Sequence, residues 1–128
     1  MHQNIFCMKE ILLAGAGGFL GSVFRFLMCK WFTPASLLPL PWGTLAVNLG
    51  GCFLIGIFYG LISRNAMGES WRIFLAIGIC GGFTTFSAFS SETFSLLQRG
   101  FVSNALAYLA ISVGVGLAAT FAGWRMMN

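Results

Sequence analysis

Charged residues are scarce in this sequence. Asp, Glu, Lys and Arg make up 8% of its 128 residues, whereas a soluble domain carries about 25%. Because a soluble fold could not cover its surface with so few charges, the composition excludes an ordinary soluble domain. The hydrophobic share of 58% predicts an integral membrane protein instead.

Groups for metal binding and catalysis are also scarce. The one histidine is His2 in the polar head, and we expect no Asp, Glu, Lys or His at the centre of the membrane. The four cysteines are far apart and form no C-x-x-C pair, which argues against a metal site or a disulfide framework. A hydrolase would need a His or Asp beside its serine. We therefore expect that the protein is not an enzyme.

The seven basic residues are scattered singly along the chain. A nucleic-acid-binding protein would gather them into a patch, so the sequence predicts no nucleic-acid partner. Single basic residues between apolar stretches are typical of membrane surfaces, where they meet lipid phosphates. We expect a multi-pass protein of the inner (plasma) membrane.

Four apolar stretches are long enough to cross a bilayer, which takes about 20 residues. The predicted spans are 11–32, 42–63, 71–97 and 101–124, joined by short connections. The sequence thus predicts an all-α membrane protein with a single domain over residues 1–128. Small residues four apart predict close helix packing, at Gly17 and Gly21, Gly56 and Gly60, and Gly78 and Gly82.

The third span is predicted to be broken near its middle. An unbroken helix over 71–97 would be about 40 Å long, whereas the hydrocarbon core is about 30 Å thick. Gly81 and Gly82 are weak helix formers, two β-branched threonines follow, and five of the eight residues 84–91 carry hydroxyls. A broken helix at this depth requires backbone that is buried in protein or lines a cavity. We therefore predict an unwound turn within 81–85, and a functional site there.

Basic residues are nearly balanced between the two predicted sides of the membrane. The side with both termini carries Lys9, Arg64, Arg72 and Arg125, and the other side carries Lys30, Arg99 and Arg25. Since the positive-inside rule needs a clear excess to fix orientation, we predict insertion in both orientations. Two copies would then pair antiparallel and form the inverted repeat that larger transporters carry in one chain.

Polar residues form lines on three of the predicted helices. Thr44 and Asn48 are four apart on the second span, and Tyr108 and Ser112 are four apart on the fourth, with Gly116 at the next position. The hydroxyls at the break form the third line. Such donors suit a small, weakly charged or anionic solute. Hydrogen bonding between helices, with no transport path, is the alternative that these residues leave open.

Two phenylalanines accompany the hydroxyls of the break. Phe86 and Phe89 are three apart and therefore share a helical face. The edge of a phenyl ring is the positive end of its quadrupole and could face an anion. In a chain with 14 phenylalanines, filling of the apolar core is the competing interpretation.

Three motifs resemble the Fluc (CrcB-type) fluoride channels. They are GGFTTFSAFSSE at 81–92, GGFLGSVFRF at 17–26 and GTLAVN at 43–48, and the resemblance extends over essentially the whole chain. It implies an antiparallel, dual-topology homodimer that exports fluoride passively through two pores. The implied pore residues are Asn48, Phe86, Phe89, Tyr108 and Ser112, with Thr44 and Ser87 as weaker candidates. Gly116 and Ala88 depart from the family pattern, in which hydroxyl residues are common at both positions.

The resemblance implies three further roles. Glu92 matches a carboxylate at the pore mouth, and Arg25 matches a structural residue at a helix end. The backbone carbonyls of Gly81 and Thr84, from both subunits, would hold a structural sodium ion at the dimer centre. A hard cation of this kind prefers oxygen ligands.

Two other function classes compete with the fluoride channel. A small dual-topology multidrug exporter would need a carboxylate within the first span, but Glu10 lies at its very start. Resistance to lipophilic cations conferred by this protein would support the exporter. The second competitor is a subunit that assembles with others and transports nothing, and it predicts no ion flux from the purified protein.

Overall fold

The computed structural model describes residues 7–32 and 40–128, and their regular elements are all helical. Helix α1 covers Met8–Phe32 and α2 covers Trp42–Ser63. Helix α3 covers 69–83, with π-helical hydrogen bonding over Arg72–Cys80 between two short α-helical turns. Helix α4 covers Phe86–Gln98 and α5 covers Val102–Met127.

Four stretches of this structure are long and apolar enough to cross a membrane. They are α1, α2, the pair α3 and α4 taken as one 30-residue span over Glu69–Gln98, and α5. Each end lies within three residues of its predicted position. The all-α class and the break in the third span are therefore confirmed, and the protein is a multi-pass membrane protein. The head with His2, and most of the proline-containing connection after α1, lie outside the described residues.

The helices pack as two parallel pairs. Along α2 and α5, Cys52 faces Gly116 and Gly56 faces Thr120, so both helices advance by four residues in the same direction. The contacts of α1 with α3 advance in the same way. Alternate spans of a four-pass bundle must run parallel, so this register agrees with the predicted topology.

The predicted close packing through glycine is confirmed in both pairs. A Cβ atom added at Gly17 would strike the carbonyl oxygen of Phe74, and one at Gly82 would strike the carbonyl oxygen of Gly18. A Cβ added at Gly56 would likewise strike the carbonyl oxygen of Thr120. Glycine at these positions lets backbone approach backbone, which is how membrane helices gain packing energy without a hydrophobic driving force.

The break lies where it was predicted, but the double glycine does not form it. Gly81 and Gly82 are helical, and Gly82 packs against α1. The unwound residues are Thr84, at ψ 155°, and Thr85, at φ −149° and ψ 116°. These are extended conformations, which β-branched residues adopt readily. The glycines therefore position the end of α3 against α1, and the threonines end the helix.

The π-helical stretch Arg72–Cys80 was not predicted from the sequence. It packs against α1 just before the break, where Gly78 lies on Gly17. Such segments are rare and are frequently found at functional sites. Together with the break, it makes the third span the least regular of the four.

Candidate functional site

The break is held by a two-point pairing between α2 and the unwound backbone. The Thr85 N–H donates to Asn48 Oδ1 at 2.8 Å, and Asn48 Nδ2 donates to the Thr85 carbonyl at 3.1 Å. Buried backbone groups need partners, and the carboxamide satisfies both groups of this residue. Asn48 thus replaces the helical hydrogen bonds that the break removes.

Thr85 also starts the second half of the span. Its hydroxyl accepts a hydrogen bond from the Ala88 N–H at 3.2 Å, the usual arrangement at a helix N-cap. Ser87 Oγ lies 3.3 Å from the same hydroxyl. The side chain of Thr84 instead bonds back to the Cys80 carbonyl at 2.8 Å. Thr85 was not among the predicted site residues, although a threonine before a helix start is a recognisable N-cap signal.

A first cavity, of about 420 Å³, opens beside the break. Its polar lining includes Asn48, Thr85 and Ser112, and both rings of the predicted pair contribute to its wall. The oxygen of Ser112 is buried and has no hydrogen-bond partner among the described residues. A buried hydroxyl without a partner is uncommon, so the wall of this cavity contains a polar group whose hydrogen bonding the described residues leave unsatisfied.

A carboxylate joins two of the predicted lines. Glu92 Oε1 accepts from the Thr44 hydroxyl at 2.7 Å, and Oε2 accepts from the Tyr108 hydroxyl at 2.9 Å. The side chain of Tyr108 is fully buried. Glu92, predicted as a carboxylate at the pore mouth, therefore joins the polar residues of α2 and α5. Glu92 is far from Thr44 in sequence, and only the packing of α4 between α2 and α5 brings the two together.

The two predicted rings have different surroundings. The Phe89 ring packs on the Tyr108 ring, with centroids 5.1 Å apart, while the Phe86 centroid lies 5.7 Å from that of Phe89. The side chain of Phe86 is 79% exposed on the outside of the chain. A large ring so exposed lies against lipid or another protein surface.

A second cavity, of about 400 Å³, lies on the other side of Thr85. Arg25 and Glu92 both line it, so it carries groups of opposite charge. Thr44 and Thr85 complete its polar lining, and Thr85 lines the first cavity as well. The break therefore separates two cavities that share one residue.

Most of the predicted site residues are brought together. Ser87 is the exception: it is exposed, lines neither cavity and has its hydroxyl near that of Thr85. Arg25 lines the second cavity with Thr44 and Glu92. Gly81 and Thr84 line the first cavity. Sequence reasoning missed Cys52 and Gly51 in this wall, since nothing in an isolated apolar helix marks a cysteine or glycine as facing a cavity.

Comparison with known proteins identifies the family. The family model described as "CrcB-like protein, Camphor Resistance (CrcB)" matches residues 12–124. The chain belongs to the CrcB family. All the predicted site residues of this CrcB chain lie within the matched region.

Curated relatives support the same assignment over nearly their full length. A Rhizobium meliloti protein is 48% identical over 123 residues, which cover 94% of this CrcB chain and 98% of the relative. A protein of Leptospira interrogans serovar copenhageni is 46% identical over 122 residues, covering 94% and 96%. One from Phocaeicola vulgatus is 44% identical over 116 residues, covering 91% and 96%. Each of the three is named fluoride-specific ion channel FluC.

Proposed function

We propose that this protein is a passive fluoride channel of the bacterial plasma membrane. The relatives at 44–48% identity bear that name. They give no support to the multidrug exporter. One observation on this chain carries the proposal. A line of polar groups, which we call the polar row, crosses the break within an apolar bundle. It consists of Asn48, Ser112 and Glu92 with its two hydrogen bonds.

The chemistry of the row suits a small anion. Removing an ion from water costs several kcal/mol or more, so its path must supply donors at short range. The Thr44 and Tyr108 hydroxyls already donate to Glu92, so the donors left for an ion are the Ser112 hydroxyl and the second N–H of Asn48. Neither is a fixed cation, which would hold the ion in place. The positive edges of the Phe86 and Phe89 rings add weak attraction at the first cavity.

The working unit is an antiparallel homodimer in the lipid bilayer, with two pores. In one chain, Phe86 is 79% exposed and Gly81 is exposed beside it. A second copy packed on this face would cover the ring and close the first cavity toward lipid. The near balance of basic residues allows the two copies to insert in opposite orientations.

A sodium ion at the dimer centre is part of the proposal. The Gly81 carbonyl lies in the last turn of α3, where carbonyls lack helical partners, and Thr84 is extended. Two carbonyls from each subunit would give four oxygen ligands, which a hard cation prefers. The role of the ion would be to hold the two breaks together. Replacing sodium by N-methylglucamine should lower the thermal stability of the dimer. An unchanged midpoint of thermal unfolding would contradict a structural sodium ion.

The test of function is fluoride efflux from proteoliposomes, followed with a fluoride electrode. We expect fluoride efflux from the purified protein and much slower loss of chloride from matched vesicles. Phe86→Ile and Phe89→Ile should abolish fluoride efflux while the dimer still forms. Phe94→Ile is the matched control, because Phe94 is 60% exposed on the same helix and lines neither cavity.

Two outcomes would count against the proposal. Absence of fluoride flux from well-folded wild-type protein would reject the channel and favour a non-transporting subunit. Full efflux in both ring variants would keep the channel but remove the rings from its mechanism.

A further inference from the structure

The parallel register of α2 and α5 places their polar lines at three matching levels. Thr44 and Tyr108 meet through Glu92 at the first level. Asn48 and Ser112 line the first cavity together at the second. The third level continues the same four-residue step on each helix and pairs Cys52 with Gly116.

At the third level the side chain comes from α2 alone. Gly116 has none, and the Cys52 sulfur lies 3.4 Å from the position that a Cβ atom at residue 116 would occupy. An added Cβ atom would therefore make an ordinary van der Waals contact with the sulfur, and Cys52 lies next to Gly116. Cys52 also lines the first cavity, beside the unpartnered hydroxyl of Ser112. The Cys52 thiol therefore lies where a side chain at position 116 of α5 would otherwise extend the polar row.

We propose that Cys52 lines the permeation path at this third level, and that it makes the first cavity a binding site for soft, thiol-seeking cations. This inference rests on the fluoride channel proposed above. A thiol is a weak donor and acceptor toward a hard anion, but it is a strong ligand for soft metals. Cys80 lines the same cavity, so a second thiol is available on the facing helix.

The binding step needs no oxidant. A mercuric ion displaces the proton of the Cys52 thiol, a mercury–sulfur bond forms and the proton passes to water. Displacement of a second proton at Cys80 would place the metal between α2 and α3. The adduct with one thiolate keeps a single positive charge, and the adduct with two thiolates is neutral. In either case the metal fills part of the cavity beside Asn48 and obstructs fluoride there.

The experiment measures fluoride efflux from proteoliposomes with and without mercuric ion, each variant normalised to its own untreated rate. We expect inhibition of about tenfold or more in the wild type, given the affinity of thiolates for soft metals. Cys52→Ala should lose the inhibition. A variant that keeps Cys52 alone, with Cys7→Ser, Cys29→Ser and Cys80→Ala, should remain inhibited, although more weakly if Cys80 shares the metal.

A second variant tests the place of Cys52 in the row. Cys52→Ala should slow efflux, because the third level would then lack a polar group. Adding Gly116→Ser to that variant restores a hydroxyl from the facing helix, and the vacated sulfur position leaves room for it. We expect the double variant to recover efflux and to stay insensitive to mercuric ion.

Intact-mass measurement of the mercury adduct provides a readout that does not depend on transport. A wild type that binds mercuric ion at Cys52 but transports no fluoride would leave the site in place and reject the channel. Fluoride efflux that mercuric ion does not affect, or inhibition that persists in Cys52→Ala, would overturn the inference and leave the channel intact.

Discussion

Asn48 shows how one side chain can stabilise an unwound turn within a membrane. Its carboxamide offers a donor and an acceptor in the same plane, and it pairs with both backbone groups of Thr85. A hydroxyl could satisfy either group but not both at this spacing, and a carboxylate could only accept. The residue therefore has a structural task that comes before any contact with an ion.

Replacing Asn48 should separate that structural task from conduction. Asn48→Ala leaves the N–H and the carbonyl of Thr85 without partners at a buried site, and we expect a loss of about 2 kcal/mol or more in stability. Asn48→Asp keeps the acceptor for the N–H but adds a negative charge beside the cavity. It should unfold at a temperature between those of wild type and Asn48→Ala, yet conduct no fluoride.

Thermal unfolding in detergent and fluoride efflux check both variants. Asn104→Ala is the control, since Asn104 is half-buried near the start of α5 and lies at neither cavity. A stable and fully conducting Asn48→Ala would contradict the two-point support of the break.

At the scale of the helix, glycine positions divide into those that touch backbone and those that do not. On α1, a Cβ at Gly17 would strike the carbonyl of Phe74, whereas Gly15 has open space around it. The two glycines lie two residues apart on opposite faces of the same helix. Their sequence surroundings are similar, so the difference between them comes from packing.

This pair allows a matched test of helix packing. Gly17→Ala should destabilise the protein by about 1–3 kcal/mol, because α1 and α3 must move apart to admit the methyl group. Gly15→Ala should be neutral or slightly stabilising, since alanine favours the helix over glycine by about 1 kcal/mol. The thermal midpoints of the two purified variants provide the measurement. Equal midpoints would show that α1 and α3 do not depend on this close approach.

The sequence predicted the helices better than it predicted the contacts between them. Hydropathy sets where a span begins and ends, and an overlong third span with weak helix formers indicates a break. It could not decide which residues unwind, because Gly82 is fixed in the helix by its contact with α1 and Thr85 is released by Asn48. The same limit applies to Glu92, whose partners lie 48 and 16 residues away in sequence.

In the whole molecule, the carboxyl-terminal ends of α2 and α5 lie on one side, which we call the terminal side. The Arg64 guanidinium donates to the Met127 carbonyl at 2.9 Å, so the two ends are adjacent. The starts of α1 and α3, with Lys9 and Arg72, must lie on the same side. On the opposite side, Lys30 lies in the last turn of α1 and Arg99 follows the end of α4. Arg25 lies about two turns inside α1. The charge balance predicted from the sequence therefore describes the folded chain.

Because the basic residues are so nearly balanced between the two sides, a few added charges should fix the orientation of the chain. Ala66→Lys with Gly68→Lys adds two charges at exposed positions on the terminal side, and Gln98→Lys with Ser103→Lys adds two at exposed positions on the opposite side. Since basic residues favour the cytoplasm, each pair should drive the chain into one orientation, and the two orientations should be opposite. Reporters fused to the carboxyl terminus would read the orientation in cells.

These two variants test the antiparallel homodimer directly. A chain that inserts in one orientation has no antiparallel partner, so each variant expressed alone should give little fluoride efflux. Co-expression supplies both orientations and should restore efflux, because the complementary copies can then pair across the face that exposes Phe86. Efflux from either variant alone, with its orientation confirmed as single, would show that the path is complete without an inverted partner. A lack of recovery on co-expression, with both variants stably inserted, would count equally against the pairing.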